Sequence, residues 1–134
     1  MKRLLIVEKE PRVRQLIRVN LERVGGYDIT EASDGESAWQ LLQQESFDLA
    51  IMEVLLPPIN GEGLLEVMER SERTATMTVI VMLWVPTDRR LSDFFSDYQA
   101  RHPRGRMVLI MKPFNPSDLK KMVGQILTED TTLN

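Results

Sequence analysis

Short runs of consecutive apolar residues alternate along this chain with longer stretches whose apolar positions recur every three or four residues. The runs are Leu4 to Val7, Tyr27 to Ala32, Leu49 to Met52, Val79 to Leu83 and Met107 to Met111. Runs of this length and composition read as strands, and the amphipathic stretches between them as crossover helices joining parallel strands. Four runs are apolar on successive residues, as strands covered on both faces require. Tyr27-Asp28-Ile29-Thr30-Glu31-Ala32 instead alternates and belongs nearer an edge.

The helices carry their own punctuation. Val13, Leu16, Ile17, Leu21 and Val24 share helical spacing, with Pro11 in the first turn and Gly25-Gly26 as the stop. Ser33-Asp34-Gly35-Glu36 offers caps for a second helix through Leu41 and Leu42, and Leu64, Leu65, Val67 and Met68 line a third. Leu91, Phe94, Phe95 and Tyr98 suggest a fourth, fenced by Pro86 and Pro103. Asn115-Pro116-Ser117-Asp118 reads as cap, first-turn proline and third-position acid for a fifth helix carrying Leu119, Met122, Val123, Ile126 and Leu127. Residues 1–128 are expected to form one domain and 129–134 a flexible tail or the start of a linker.

Composition narrows the function classes. In 134 residues, 43% apolar, there is room for one core and no second domain. A net charge of −3 suggests no polyanion-binding surface, so nucleic acid is not the expected partner. Without cysteine there is no thiol nucleophile or cysteine zinc site, and His102 alone makes no histidine metal site. The four apolar residues after Met1-Lys2-Arg3 fall far short of a secretion signal, and no run approaches the roughly 20 residues of a membrane span. A cytoplasmic location is expected. No G-x-G-x-x-G, Walker loop or G-x-S-x-G elbow is present, and no enzymatic activity is expected.

In an open parallel sheet, functional groups gather beyond the carboxyl ends of the strands. Here those ends carry Glu8-Lys9-Glu10-Pro11, then Glu53 followed by Leu56-Pro57-Pro58-Ile59-Asn60-Gly61, then Trp84-Val85, then Lys112-Pro113-Phe114. With these residues in place, "LLIVEKEP", "EASDGESAWQLL", "FDLAIMEVLLPPINGEGLLEVM", "VIVMLWV" and "LIMKPFNPSDL" resemble, in order and spacing, the receiver domain of bacterial two-component response regulators. The resemblance implies a flavodoxin-like, doubly wound α/β fold, a five-stranded parallel sheet of order 2-1-3-4-5 with five helices. It also implies phosphoryl transfer from a histidine kinase to an aspartate with Mg²⁺, and signalling to protein partners through the fourth helix, fifth strand and fifth helix.

The matching positions depart from that pattern. Two acids that hold Mg²⁺ in the family meet Glu8 and Lys9, and the acceptor aspartate meets Glu53. The threonine or serine that senses the phosphoryl group meets Trp84, and the aromatic switch meets Leu109. Lys112 is retained. One added methylene takes the Glu53 oxygens off the in-line geometry of phosphoryl transfer, and an ammonium at Lys9 removes a metal ligand and repels the ion. Glu8, Lys9, Glu53 and Lys112 cancel in charge, so no metal and no other cofactor is expected.

Two carboxylates about 4 Å apart repel by roughly 4 kcal/mol at an effective dielectric near 20. Lys9 or Lys112, or both, are therefore expected to hold Glu53 in a permanent ion pair. The functional expectation is a phosphorylation-independent pseudo-receiver acting as a protein-protein interaction module. The alternatives are a phosphoacceptor that still uses Mg²⁺ and a small-ligand sensor built around Trp84. Glu53 as a mimic of a phosphorylated aspartate is a weaker reading, because Trp84 and Leu109 lack the groups that would respond. Arg101, Arg104 and Arg106 are candidates for recognising an acidic partner surface, with solvated loop positions as the alternative.

Overall fold

The computed structural model describes residues 1–53, 63–84, 96, 97, 100 and 106–132, with the backbone alone for Trp84, Arg106 and 129–132. In chain order its elements are β1 (Lys2–Val7), α1 (Pro11–Glu22), β2 (Tyr27–Ala32), α2 (Gly35–Gln44), β3 (Leu49–Glu53), α3 (Leu64–Glu69), α4 (Glu72–Ala75), β4 (Thr78–Trp84), β5 (Arg106–Lys112) and α5 (Pro116–Thr132). All five expected strands are present. The one-turn α4 was not separated by the sequence pattern, and the helix expected around Leu91 to Tyr98 lies outside the described residues. The last helix runs to Thr132, into the stretch that the sequence left as an aperiodic tail.

Every strand pair is parallel, in the order β2-β1-β3-β4-β5. Successive side chains of a strand face opposite ways. Leu5, Val7, Ala50, Met52, Val79, Val81 and Leu83 accordingly pack with α2 and α3, while Leu4, Ile6, Leu49, Ile51, Ile80 and Met82 pack with α1 and α5. This is the doubly wound arrangement that the receiver-domain resemblance implies, built from the parallel strands and crossover helices that the alternating pattern predicts. Each Leu or Ile fully withdrawn from water here is worth about 1.5–3 kcal/mol.

The alternating run forms edge strand β2, as its pattern indicates. At the other edge, β5 departs from its fully apolar appearance: Leu109 and Met111 are 41% and 48% exposed. An apolar run alone does not reveal that one side of an edge strand has no neighbour among the described residues. Met52, Met68 and Met82 are core residues, as read from sequence, and Met111 is the exception.

Helix entries follow the cap chemistry. The Asp34 carboxylate accepts from the Ser37 backbone N–H at 2.7 Å, and Asn115 Oδ1 accepts from the Ser117 N–H at 2.9 Å. The first of these bonds holds the Asp34 carboxyl below its usual range. Asp34→Ala is expected to cost about 1 kcal/mol of stability, measured by urea unfolding. Gly25 and Gly26, at φ of 83° and 84°, turn the chain from α1 into β2 through a region that side chains disfavour. Among the described residues no helix is long and apolar enough to cross a membrane.

Candidate functional site

Because the strands are parallel, their carboxyl ends open at one end of the sheet, and the chain leaves β1 toward β2 on one side and toward β3 on the other. That change of direction creates a crevice above β1 and β3. Val7 pairs with Met52, so the next residues, Glu8 and Glu53, arrive side by side at its floor. Glu53 is level with Met82, which is level with Ile110 on β5. Lys112 lies two residues beyond Ile110, and its four-carbon stem spans the end of β4 to reach the acids.

The Lys112 ammonium donates to Glu8 Oε2 at 2.9 Å and to Glu53 Oε2 at 2.5 Å. All three residues are nearly closed to solvent, with Glu8 0%, Glu53 4% and Lys112 7% exposed. Charge-assisted hydrogen bonds of this length, out of water, are the strong kind. The Glu10 backbone N–H donates to Glu8 Oε1 at 3.2 Å. Arg14 of α1 donates to the Glu8 carbonyl at 2.6 Å while its Nε bonds Glu31 at 3.0 Å, tying the end of β1 to the helix and to β2. The Lys112-Pro113 peptide is cis.

These contacts pull the titrations apart. Burial pushes Glu8 upward, but hydrogen bonds from Glu53, Lys112 and the Glu10 amide outweigh it and hold its carboxyl below the usual range. Burial and then the Glu8 carboxylate raise Glu53, with Lys112 offsetting only part of the rise. For Lys112 burial disfavours the ammonium, yet Glu53 and Glu8 more than compensate, so it stays charged to higher pH than usual.

Of the positions singled out in the sequence, the structure brings together Glu8, Glu53 and Lys112. The expectation that Lys9 or Lys112, or both, would hold Glu53 is met by Lys112, while Lys9 is exposed and makes no ion pair with Glu53. β1 ends at Val7 and the chain bends at Lys9, so Glu8 is buried while Lys9 is exposed. Trp84 ends β4, and its side chain lies outside the description, as do Arg101 and Arg104 entirely and the side chain of Arg106 at the start of β5. The Pro57–Gly61 loop is likewise outside it. Leu109 stands on the exposed side of β5. Arg14 was missed by sequence reasoning. Its only signal is a place one turn into α1, beside a strand end whose neighbour carries Glu31.

The site residues do not fit a divalent ion. Magnesium needs several oxygen ligands in near-octahedral array. Here both carboxyl groups are engaged by one ammonium, Glu8 Oε1 is taken by an amide, and among the described residues no group of three or more His, Cys, Asp or Glu is placed to hold a metal.

A family model described as "response regulator receiver domain" matches residues 4–124. The chain is 32% identical over 126 residues to the alkaline phosphatase synthesis transcriptional regulatory protein PhoP of Bacillus subtilis, covering 94% of this chain and 48% of that protein. It is 33% identical over 115 residues to the response regulator GtcR of Aneurinibacillus migulanus, covering 86% and 43%. The chain thus spans about half the length of the curated relatives it matches. Among solved structures, a putative response regulator from Chloroflexus aurantiacus superposes with a TM-score of 0.77 at 27% identity, covering 95% of this chain and 98% of that one. A response regulator from Desulfuromonas acetoxidans reaches 0.80 at 20% identity, covering 96% and 98%, a likeness of fold alone.

Proposed function

We propose that this chain, which belongs to the response regulator receiver domain family, is a member that works without phosphorylation. It acts as a protein-protein interaction module of cytoplasmic two-component-type signalling and has no catalytic activity of its own. The observation that carries this reading is the Lys112 ammonium seated between Glu8 and Glu53. A receiver that accepts a phosphoryl group needs a divalent ion and a free aspartate oxygen in line with the donor. This crevice offers a glutamate whose Oε2 already holds an ammonium, and Lys9, where a second metal-holding acid belongs in the family pattern, is turned to solvent.

A module of this kind transmits through a surface rather than through a chemical event. Exposed Leu109 and Met111 on β5 support a partner-facing role for that edge, and the arginines at 101, 104 and 106, close to β5 in sequence, would add charge recognition. Incubation with acetyl phosphate and Mg²⁺, followed by intact-mass measurement, is expected to show no added phosphoryl group. A stable gain of one phosphoryl group would defeat the reading in favour of a working phosphoacceptor.

A further inference from the structure

Helix α1 packs on β1, β2 and α5, with Val13, Ile17 and Leu21 on its inner side. The sequence pattern placed Leu16 in that same apolar set, but Leu16 is 49% exposed and Val19 38% exposed. At 3.6 residues per turn, Arg12, Leu16, Val19 and Arg23 fall within a sector of about 60° opposite the buried side. All four are exposed, and Arg23 keeps helical geometry as the capping residue. The outermost stripe of α1 therefore runs arginine, leucine, valine, arginine over about 16 Å. Single apolar side chains are ordinary on a protein surface. Here two of them sit one turn apart as neighbours on the helix surface. Valine is also a poor residue for a helix position that buries little, because its branched side chain loses rotamer freedom there.

The charges select what covers the stripe. On the flank facing β2, Arg14 is engaged by Glu31 and the Glu8 carbonyl, and Arg18 by Glu31 and Glu22. Arg12 and Arg23 make no ion pair among the described residues. Two unpaired cations thus bracket the apolar pair, on a chain whose net charge is −3. A second copy of this chain does not fit. A two-fold axis through the Leu16 and Val19 pair sets arginine against arginine, whether the two helices run parallel or antiparallel. A helix that presents apolar residues on two successive turns, between acids spaced like Arg12 and Arg23, matches both features.

We propose that the outward stripe of α1 docks an acidic amphipathic helix of a partner protein, with Leu16 and Val19 packing on its apolar face and Arg12 and Arg23 pairing with its carboxylates. This names a partner class for the interaction-module reading and rests on it, but it uses neither the crevice nor β5.

The probe is an alanine-based helical peptide carrying leucines on two successive turns between glutamates eleven positions apart. Titrated into the whole nitrogen-15-labelled chain, it is expected to shift the amide signals of residues 12–23 with a Kd below about 1 mM. Arg12→Glu with Arg23→Glu is expected to weaken that binding at least about tenfold, and to bind instead the same peptide with lysines in place of its glutamates. Leu16→Gln with Val19→Gln is expected to lose binding while unfolding at the unaltered urea concentration, because both side chains are exposed. Absence of shifts on α1 up to about 1 mM peptide, shifts centred elsewhere, or equal binding of the lysine peptide by the unaltered chain would overturn the proposal. So would self-association that the glutamine variant abolishes, or a lowered urea midpoint in that variant, since each gives the apolar pair another use. The acetyl phosphate measurement is read separately. Phosphoryl gain strikes the phosphorylation-independent reading whatever the peptide does, and failure of the peptide leaves that reading standing.

Discussion

Lys112→Met is expected to lower folding stability by about 3–5 kcal/mol at neutral pH, the usual consequence of removing one partner from a buried ion pair. Methionine preserves the stem but leaves Glu8 and Glu53, 0% and 4% exposed, without a cation among the described residues. The loss should shrink under acid. The variant can shed its unpaired charge by binding protons, so its stability relative to the unaltered protein recovers as pH falls toward the carboxylate range. Urea unfolding of both proteins at about pH 5 and about pH 8 reads the difference. A loss below about 1 kcal/mol at the higher pH would mean that water, rather than Lys112, solvates the two acids.

The second large effect is a gain. Replacing Lys9 and Glu53 together by aspartate is expected to give a chain that gains about one phosphoryl group per molecule from acetyl phosphate with Mg²⁺, where the unaltered chain is expected to gain none. Glu53→Asp shortens the side chain by one methylene, drawing the carboxylate back from the Lys112 ammonium and returning an oxygen to acceptor position. Lys9→Asp removes a cation and supplies a carboxylate beside Glu8. Metal binding and acceptor geometry are separate requirements, so Glu53→Asp alone should gain nothing. Intact mass with and without Mg²⁺ reads the result. Phosphoryl gain by that single variant would show that Lys9 is no obstacle, and failure of the double variant would place the block at Trp84 or Lys112.

Both expectations depend on a cluster whose members the sequence could name but not arrange. Glu8, Glu53 and Lys112 are legible because each follows or ends an apolar run, and parallel strands deliver all such ends to one side of the sheet. Asp34 and Asn115 were legible as caps for a similarly local reason, since each bonds an amide two or three residues away. The exposed flank of β5 was not legible. Leu109 and Met111 look like core residues until the strand is known to be an edge with nothing described over that side.

The sequence by itself therefore determined the strands and the cap chemistry of α2 and α5, which depend on neighbours within a few residues or on a repeating pattern, while its resemblance to the receiver family implied the doubly wound architecture and exposed the departure from the family's acidic pair. The tertiary structure alone decided which lysine neutralises the crevice. Lys9 is adjacent to Glu8 in the chain and turns away from it, while Lys112, 104 residues distant, meets it at 2.9 Å. The bend after β1 decides that Lys9 leaves the crevice, and strand register sets which ends meet. A contact between charges follows from those two facts rather than from their separation in sequence.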